Sequence, residues 1–496
     1  MTLVRRMEVS SRDLFLRGVA TVASGTAVSQ AVIVLSSPIL TRLYTPADFG
    51  VLGVYVAALS ILTMVAGLRY QLAMPLPRSD GSAANILALA FALVVAVALA
   101  TMVISVNPLG TQLADLANAP GLKNYLWLLP VGVLLCGLYD VLTYWAIRKK
   151  DFGCIARTKV QQSVGAVGVQ VAMGLAQFGP LGLIIGHILG NAAGVTRLLA
   201  TAIKRDAHAL KRIRVVRILG RARRFKRFPL YVTWAGLAQI AGAQLPAVFF
   251  AAIFSPAVAG LYLLADRVTR APIDLIGKAT SQVFFSGAAD ARREGHLERV
   301  ALSTFEGLTR VSVGPAMLLA VSAPELFGAV FGREWMEAGT FVRWLTPMLI
   351  TSFIVAPLTV LHSVMEVQAQ SLALHVTMLS VRCGALALGI LVGQVIPTIA
   401  IFSILSALVY GMFGLRMLKL AGVPAWLVSK QFLREVFIVS PAPFVLWWLK
   451  GQIVSSSSES PAGDGTTVFF LATTLMLVLV LGWRTLPVLR CSNRSA

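Results

Sequence analysis

The chain has 496 residues, of which 57% are hydrophobic and 13% are charged, and its mean hydropathy is +0.79. Soluble domains carry about a quarter charged residues and disordered chains have low hydrophobicity, so this composition excludes both classes. It indicates a membrane protein that crosses the bilayer many times. The net charge of +22 is typical of basic cytoplasmic loops, and because no nucleic-acid-binding fold accompanies it we expect no nucleic-acid partner.

Apolar runs of roughly 20 residues predict about 14 membrane-spanning helices, since that is the length a helix needs to cross the bilayer core. The runs are too long for the strands of a membrane barrel, so we expect an all-α bundle. The predicted spans are 18–40, 50–74, 85–106, 125–147, 155–177, 181–203, 230–253, 257–283, 304–324, 338–361, 371–393, 396–415, 432–449 and 467–483.

Basic residues predict the orientation of these spans. One set of loops holds only Arg42, Lys123, Arg333 and Lys450, whereas most of the basic residues outside the spans fall on the other side. Cytoplasmic loops carry the excess of Lys and Arg. With an even number of spans, both termini are therefore predicted to lie in the cytoplasm.

Two short patterns recur along the chain. Residues 44–50 and 254–260 both read aromatic-hydroxyl-Pro-Ala-x-x-Gly, 210 positions apart, and Trp-Leu-x-Pro at 127–130 recurs at 344–347, 217 positions later. Each pair is six spans apart, which returns the chain to the same side of the membrane. We therefore expect two six-helix lobes related by a parallel internal repeat, plus two C-terminal helices.

The predicted domains follow from this repeat. They are an N-terminal lobe (1–203), a basic cytoplasmic linker (204–229), a C-terminal lobe (230–425), and helices 13 and 14 with a cytoplasmic tail (426–496). The linker holds 11 Lys and Arg against one acid, with apolar residues at every third position from 210 to 219. This pattern favours an amphipathic helix on the anionic inner leaflet; the alternative is a solvated basic loop.

Ionisable residues inside membrane spans are rare and usually functional. Four in the eighth span fall within an arc of about 80° at 100° per residue: Arg267, Arg270, Asp274 and Lys278. Three cations on one face would suit an anionic ligand, because arginine makes bidentate contacts to phosphate. The alternative is an internal ladder of i,i+4 ion pairs, in which Asp266 pairs with Arg270 and Asp274 with Lys278.

Two further ionisable residues in the first half of the chain are site candidates. Arg69, at the end of the second span, would assist the eighth-span cations in holding an anion. Asp140, in the middle of the fourth span, is either a proton or sodium site or a charge partner for one of these cations. No metal-binding, nucleotide-binding or hydrolase motif appears in the sequence, and the outside loops are too short for a catalytic domain. We therefore expect neither an enzyme nor a metal site.

Several segments together resemble the bacterial polysaccharide-transport, or oligosaccharide flippase, family of the multidrug/oligosaccharidyl-lipid/polysaccharide exporter superfamily. An acid is frequent in this family where the present chain has Gln71. The segments that carry the resemblance occur in the family's order and spacing: 41–50, 68–73, 144–152, 227–231, 260–268, 282–284 and 331–339.

The resemblance implies an inner-membrane flippase that moves undecaprenyl-diphosphate-linked oligosaccharide repeat units to the periplasmic leaflet by alternating access. It implies a role in O-antigen, capsule or exopolysaccharide synthesis, with a polysaccharide polymerase and chain-length proteins as further partners besides membrane lipids. Two alternatives stay open. One is a drug or peptidoglycan-precursor exporter of the same superfamily, and the other is a non-transporting scaffold for polysaccharide assembly.

Overall fold

The computed structural model describes residues 2–116, 120–365 and 367–456, and within these ranges the chain is helical and contains no strand. The predicted all-α fold is therefore confirmed. The helices are α1 (Thr2–Leu43), α2 (Pro46–Ala66), α3 (Asp80–Val106), α4 (Pro108–Leu116), α5 (Pro120–Lys123), α6 (Leu128–Arg148), α7 (Phe152–Leu175), α8 (Pro180–Leu210), α9 (Val215–Arg224), α10 (Thr233–Ile253), α11 (Pro256–Glu294), α12 (Leu297–Phe331), α13 (Met336–Leu358), α14 (Leu361–Val364), α15 (Gln368–Val392), α16 (Val395–Leu420), α17 (Ala425–Val439) and α18 (Pro441–Ser456).

Most predicted spans coincide with one long helix each. In the described part of the chain, ten helices are long and apolar enough to cross a membrane. Helices α7 and α11, predicted as the fifth and eighth spans, are as long as the others but are not among these ten. Their polar and charged side chains lower their hydropathy, and these are the helices in which the sequence places Lys159 and the eighth-span cations.

Two predicted spans differ from the structure. The second was expected to run to residue 74, but α2 ends at Ala66. A turn at residues 67–69, the break after α2, separates it from a short 3₁₀ helix, Tyr70–Ala73. The thirteenth was expected as one helix over 432–449, but the chain forms two, α17 and α18, because Pro441 cannot donate a backbone hydrogen bond to continue α17. The fourteenth predicted span, 467–483, lies outside the described residues.

The chain forms two compact units, divided between Leu263 and Leu264 inside α11. In the first unit, α7 packs against α1 and α8, and α6 packs against α3 and α8. In the second, α13 packs between α12 and α16, and α17 packs on α12. A buried apolar cluster of α12, α13, α16 and neighbouring segments forms its core, with Phe305, Phe353 and Met417 among its members.

The first recurring pattern starts a helix in the same way in both copies. The Thr45 hydroxyl accepts a bond from the Asp48 amide at the start of α2, and the Ser255 hydroxyl accepts one from the Val258 amide at the start of α11. Proline follows each hydroxyl residue at the first helical position, where its missing N–H has no partner to lose. The repeat therefore encodes two capped helix starts.

The glycines that end these patterns hold the two helix starts together within the first unit. A side-chain carbon at Gly50 would overlap the carbonyl group of Pro256, and one at Gly260 would overlap the carbonyl oxygen of Pro46. The contact is reciprocal, as expected for two copies of one pattern. The second pattern is not equivalent, since Trp127 immediately precedes α6 whereas Trp344 lies well inside α13.

We expect Gly50→Ala to lower the thermal unfolding midpoint, because the new methyl group meets backbone atoms that cannot rotate away. Such overpacking destabilises by about 1–3 kcal/mol. Gly168→Ala is the matched control, since no atom lies within 4 Å of a carbon added there and alanine favours helix. Equal midpoints for the two variants in detergent would contradict the role of this contact.

Candidate functional site

Helix α11 carries the predicted cationic face. The expected i,i+4 pair forms between the Arg270 Nε and the Asp266 carboxylate, which lie 2.5 Å apart. Within the described residues Asp274 makes no ion pair with Lys278, and both of these side chains are exposed. Only one step of the alternative ion-pair ladder is therefore present, and Lys278 keeps its amino group accessible.

Arg267 and Arg270 are half-buried on this helix, unlike Lys278. Burial of a guanidinium group removes water that would otherwise compete for its hydrogen bonds. Together the three residues combine two arginines able to make bidentate contacts with one accessible ammonium group. An anion with several oxygens is the ligand that such a set can hold.

Arg69 lies at a break rather than in a helix. After α2 ends, Leu68 and Arg69 both adopt left-handed backbone conformations, with φ of 44° and 57°. Residues with a side chain enter this region rarely and at a cost of order 1–3 kcal/mol, and such strain clusters at functional sites. In the described structure the buried Nε of Arg69 has no hydrogen-bond partner, and its Nη2 lies beside Gly236 of α10.

Gln71 and Asp140 form the polar contact next to this break. Gln71 is 1% exposed, and its Nε2 donates to an Asp140 carboxylate oxygen at 2.8 Å. An acid at position 71, as in the family that the sequence resembles, would set two carboxylates side by side. The amide removes that repulsion and donates a hydrogen bond to the side chain of Asp140.

Two basic residues lie close enough to act electrostatically on Asp140, namely Arg69 and Lys159. The cluster formed by Arg69, Gln71, Asp140 and Lys159 therefore contains two cations and one carboxylate. A cation bound at Asp140 would be repelled by both of these neighbours. Arg69 belongs to the first unit, whereas Arg267, Arg270 and Lys278 belong to the second.

A second network, which no sequence pattern predicted, fixes the segment after Gln71. The Arg148 guanidinium bonds Asp80 and donates to the carbonyls of Met74 and Pro77 at 2.9 and 2.8 Å. Arg148 is the last residue of α6, the helix that carries Asp140. Its bonds therefore link α6 to the segment that follows Gln71. The charged run after the fourth span was its only sequence signal.

Lys149 extends this network to α8. It contacts Asp80 and Asp206 at 2.8 Å each, and Asp206 also accepts a bond from the Trp145 indole. Burial by itself lowers the pKa of Lys149, but its bonds to the two carboxylates outweigh burial and raise that pKa above its usual value. The lysine therefore stays charged at physiological pH.

Both the sequence and this fold are similar to those of known membrane proteins. A family model described as "Polysaccharide biosynthesis protein" matches residues 39–340. The lipid II flippase MurJ in an inward closed conformation has 11% sequence identity and a TM-score of 0.65 over 94% of this chain and 98% of its own. A multidrug resistance MATE family transporter of the MOP superfamily, inward-facing, has 15% identity and a TM-score of 0.55 over 81% of this chain and 95% of its own.

These similarities confirm the predicted membrane-transporter fold. The two solved structures are of a flippase and a transporter, not of enzymes, which agrees with the expectation that this chain is not an enzyme. A comparison with curated proteins finds no matching sequence.

We expect Gln71→Glu to destabilise the protein in a pH-dependent way. The new carboxylate would share a buried site with Asp140, so its pKa would be raised in the fold above the unfolded value. With a raised pKa, the loss of unfolding free energy caused by Gln71→Glu is small at low pH. It grows by about 1.4 kcal/mol for each tenfold fall in proton concentration between the unfolded and the folded pKa.

The measurement is the thermal midpoint in detergent from pH 4 to pH 8, with Gln161→Glu as the control because Gln161 is exposed on α7. A penalty for Gln71→Glu that is independent of pH would show that the two carboxylates do not interact.

Proposed function

We propose that this chain, which belongs to the family of polysaccharide biosynthesis proteins, is a flippase for undecaprenyl-diphosphate-linked oligosaccharide repeat units. It would move them from the cytoplasmic to the periplasmic leaflet of the bacterial inner membrane, with both of its own termini in the cytoplasm. The products would supply O-antigen, capsule or exopolysaccharide synthesis, where a polymerase and chain-length proteins act on them.

The observation that carries this proposal is the set of cations on α11. A diphosphate linked to sugars cannot cross hydrocarbon unaided, because an ion loses most of its hydration there. Arg267 and Arg270 would bind phosphate oxygens in the bidentate manner and Lys278 would add a mobile positive charge. The polyprenyl chain has no such penalty and can remain in the lipid.

Arg69 is proposed as a further ligand of the diphosphate. Its buried Nε lacks a hydrogen-bond partner among the described residues, and a buried donor left in this state costs about 1–3 kcal/mol. A phosphate oxygen bound at this nitrogen would recover that free energy. Transport by alternating access would then expose the bound headgroup first to one side of the membrane and later to the other.

A peptidoglycan precursor is the second candidate substrate, because the first solved structure named above is a lipid II flippase. Flipping of lipid II is distinguished from flipping of the lipid-linked oligosaccharide in one assay, and a drug exporter or a non-transporting scaffold would flip neither lipid. Purified protein is placed in liposomes that contain either a lipid-linked oligosaccharide or lipid II, and movement between leaflets is followed with a membrane-impermeant reagent.

We expect Lys278→Gln to reduce flipping of the lipid-linked oligosaccharide about tenfold or more, since a hydrogen bond to a charged group contributes about 1.5–3 kcal/mol. Lys278 is the most suitable position because its loss leaves no ion-pair partner behind among the described residues, whereas removal of Arg270 would leave Asp266 without its ion pair. Lys278→Arg should restore most of the rate. Arg299→Gln, which neutralises an exposed residue of α12, is the control and should stay within about twofold.

Normal flipping by Lys278→Gln at equal protein levels would refute the role of the α11 cations. Flipping of lipid II alone would assign the second candidate substrate. No flipping of either substrate would favour a drug exporter or the scaffold.

A further inference from the structure

Helix α9, in the basic linker, has one side attached to the first unit. Arg221 donates to the Ser82 hydroxyl at 2.9 Å, and the backbone amide of Arg214 donates to the Asn85 side chain at 2.9 Å. Ile218 and Ala222 lie on this same side and are half-buried. The linker is thus docked on the start of α3 by specific bonds and is not a solvated loop.

The docked side also reaches the polar cluster. The Tyr70 hydroxyl donates to the carbonyl oxygen of Ala222 at 3.1 Å. Tyr70 lies between Arg69 and Gln71 in sequence and begins the 3₁₀ helix that follows the strained break. An interaction that fixes the position of α9 therefore also restrains the turn that carries Arg69 and Gln71.

The outward side of α9 is not covered by any part of the chain that the structure describes. Val215, Val216 and Leu219 are 73%, 82% and 61% exposed, and no residue of this helix is buried. At 100° per residue these three side chains span about 100° of the outward face, with Arg223 among them and Arg217 about 100° beyond Val216. An exposed apolar stripe edged by arginines is the pattern of a helix that lies in a membrane interface.

The position of α9 in the chain agrees with this pattern. It is preceded by the candidate span Pro180–Leu210 and followed by the candidate span Phe228–Ile253. The intervening segments on either side have only three or four residues, which reach about 14 Å at full extension. Both ends of α9 are therefore tied close to the ends of membrane-crossing helices.

We propose that the outward face of α9 binds the anionic phospholipid surface of the inner leaflet, and that this binding steadies the turn of Arg69 and Gln71 through the contact between Tyr70 and Ala222. The partner is an anionic lipid surface because the 204–229 linker carries 11 basic residues and one acid, while its apolar stripe requires an acyl region beside the charge. A nucleic acid offers the charge without the acyl region. The consequence for transport rests on the proposed function; the lipid binding does not.

The first test measures hydrogen exchange of the 215–224 amides with the full chain in nanodiscs. Discs of phosphatidylcholine are compared with discs containing about 30% phosphatidylglycerol. Each arginine near an anionic surface favours binding about fivefold, so exchange should be slower in the anionic discs by about fivefold or more. Added salt should reduce the difference, because it screens the exposed charges.

Arg217→Gln combined with Arg223→Gln should abolish that difference while leaving the bonds of α9 to Ser82 and Asn85 intact. The matched control removes two exposed arginines from loops predicted to lie on the other side of the membrane, as Arg42→Gln with Arg333→Gln, and should keep the difference. Equal exchange in the two lipids, or an equal loss in the control, would overturn the proposed binding.

The second test uses Tyr70→Phe, which removes the hydroxyl that donates to the carbonyl oxygen of Ala222 in α9. Residues 215–224 should stay protected in anionic discs, whereas residues 67–74 should lose the protection that the anionic lipid gives them in the parent protein. Residues 67–74 that exchange equally in both lipids in the parent protein would refute the coupling. In liposomes, flipping should be faster with the anionic lipid in the parent and independent of it in Tyr70→Phe; absence of flipping in both lipids would instead count against the proposed function.

Discussion

A charge placed among membrane-spanning helices must be compensated by other charges or by hydrogen bonds, because hydrocarbon offers neither. This constraint explains why the polar residues of the first unit are gathered into one cluster. Asp140 is contacted by the amide of Gln71 and acted on by the charges of Arg69 and Lys159. The strain at Arg69 is consistent with the same constraint, since the left-handed turn directs the chain out of α2 and into the cluster instead of continuing a helix.

The second unit meets the constraint differently. The cations of its candidate site are arranged along α11. There Asp266 neutralises Arg270, and the exposed Lys278 has no such contact among the described residues. Elsewhere in this unit, Arg310 is neutralised by Glu306 of its own helix and by the buried Glu435 of α17. The contrast is informative, because Arg310 has two carboxylates within 4 Å, whereas α11 carries the three cations with two acids, of which only Asp266 forms an ion pair among the described residues.

The sequence predicted the features that depend on local periodicity. Most span positions follow from the length of the apolar runs, and the i,i+4 pair of Asp266 with Arg270 follows from 3.6 residues per turn; the structure contains both. The end of α2 at Ala66 was missed because the run from 50 to 74 is mostly apolar and no proline marks the break. The contacts of Gln71 with Asp140 and of Arg148 with the carbonyls of Met74 and Pro77 join residues about 70 positions apart, and single-sequence periodicity carries no information on such pairs.

The break after α2 is stable because restraints from several directions converge on it. Arg148 binds the carbonyls just beyond the 3₁₀ helix, Gln71 is held by Asp140, and Tyr70 is held by α9. Two consecutive left-handed residues would not persist without such restraints, since the surrounding structure must outweigh their strain. Of the three, the contact with α9 is the one whose other side is open to the surroundings. A change at the membrane surface can therefore reach Arg69 by this route, whereas the bonds of Arg148 and Asp140 respond only to rearrangement within the first unit itself.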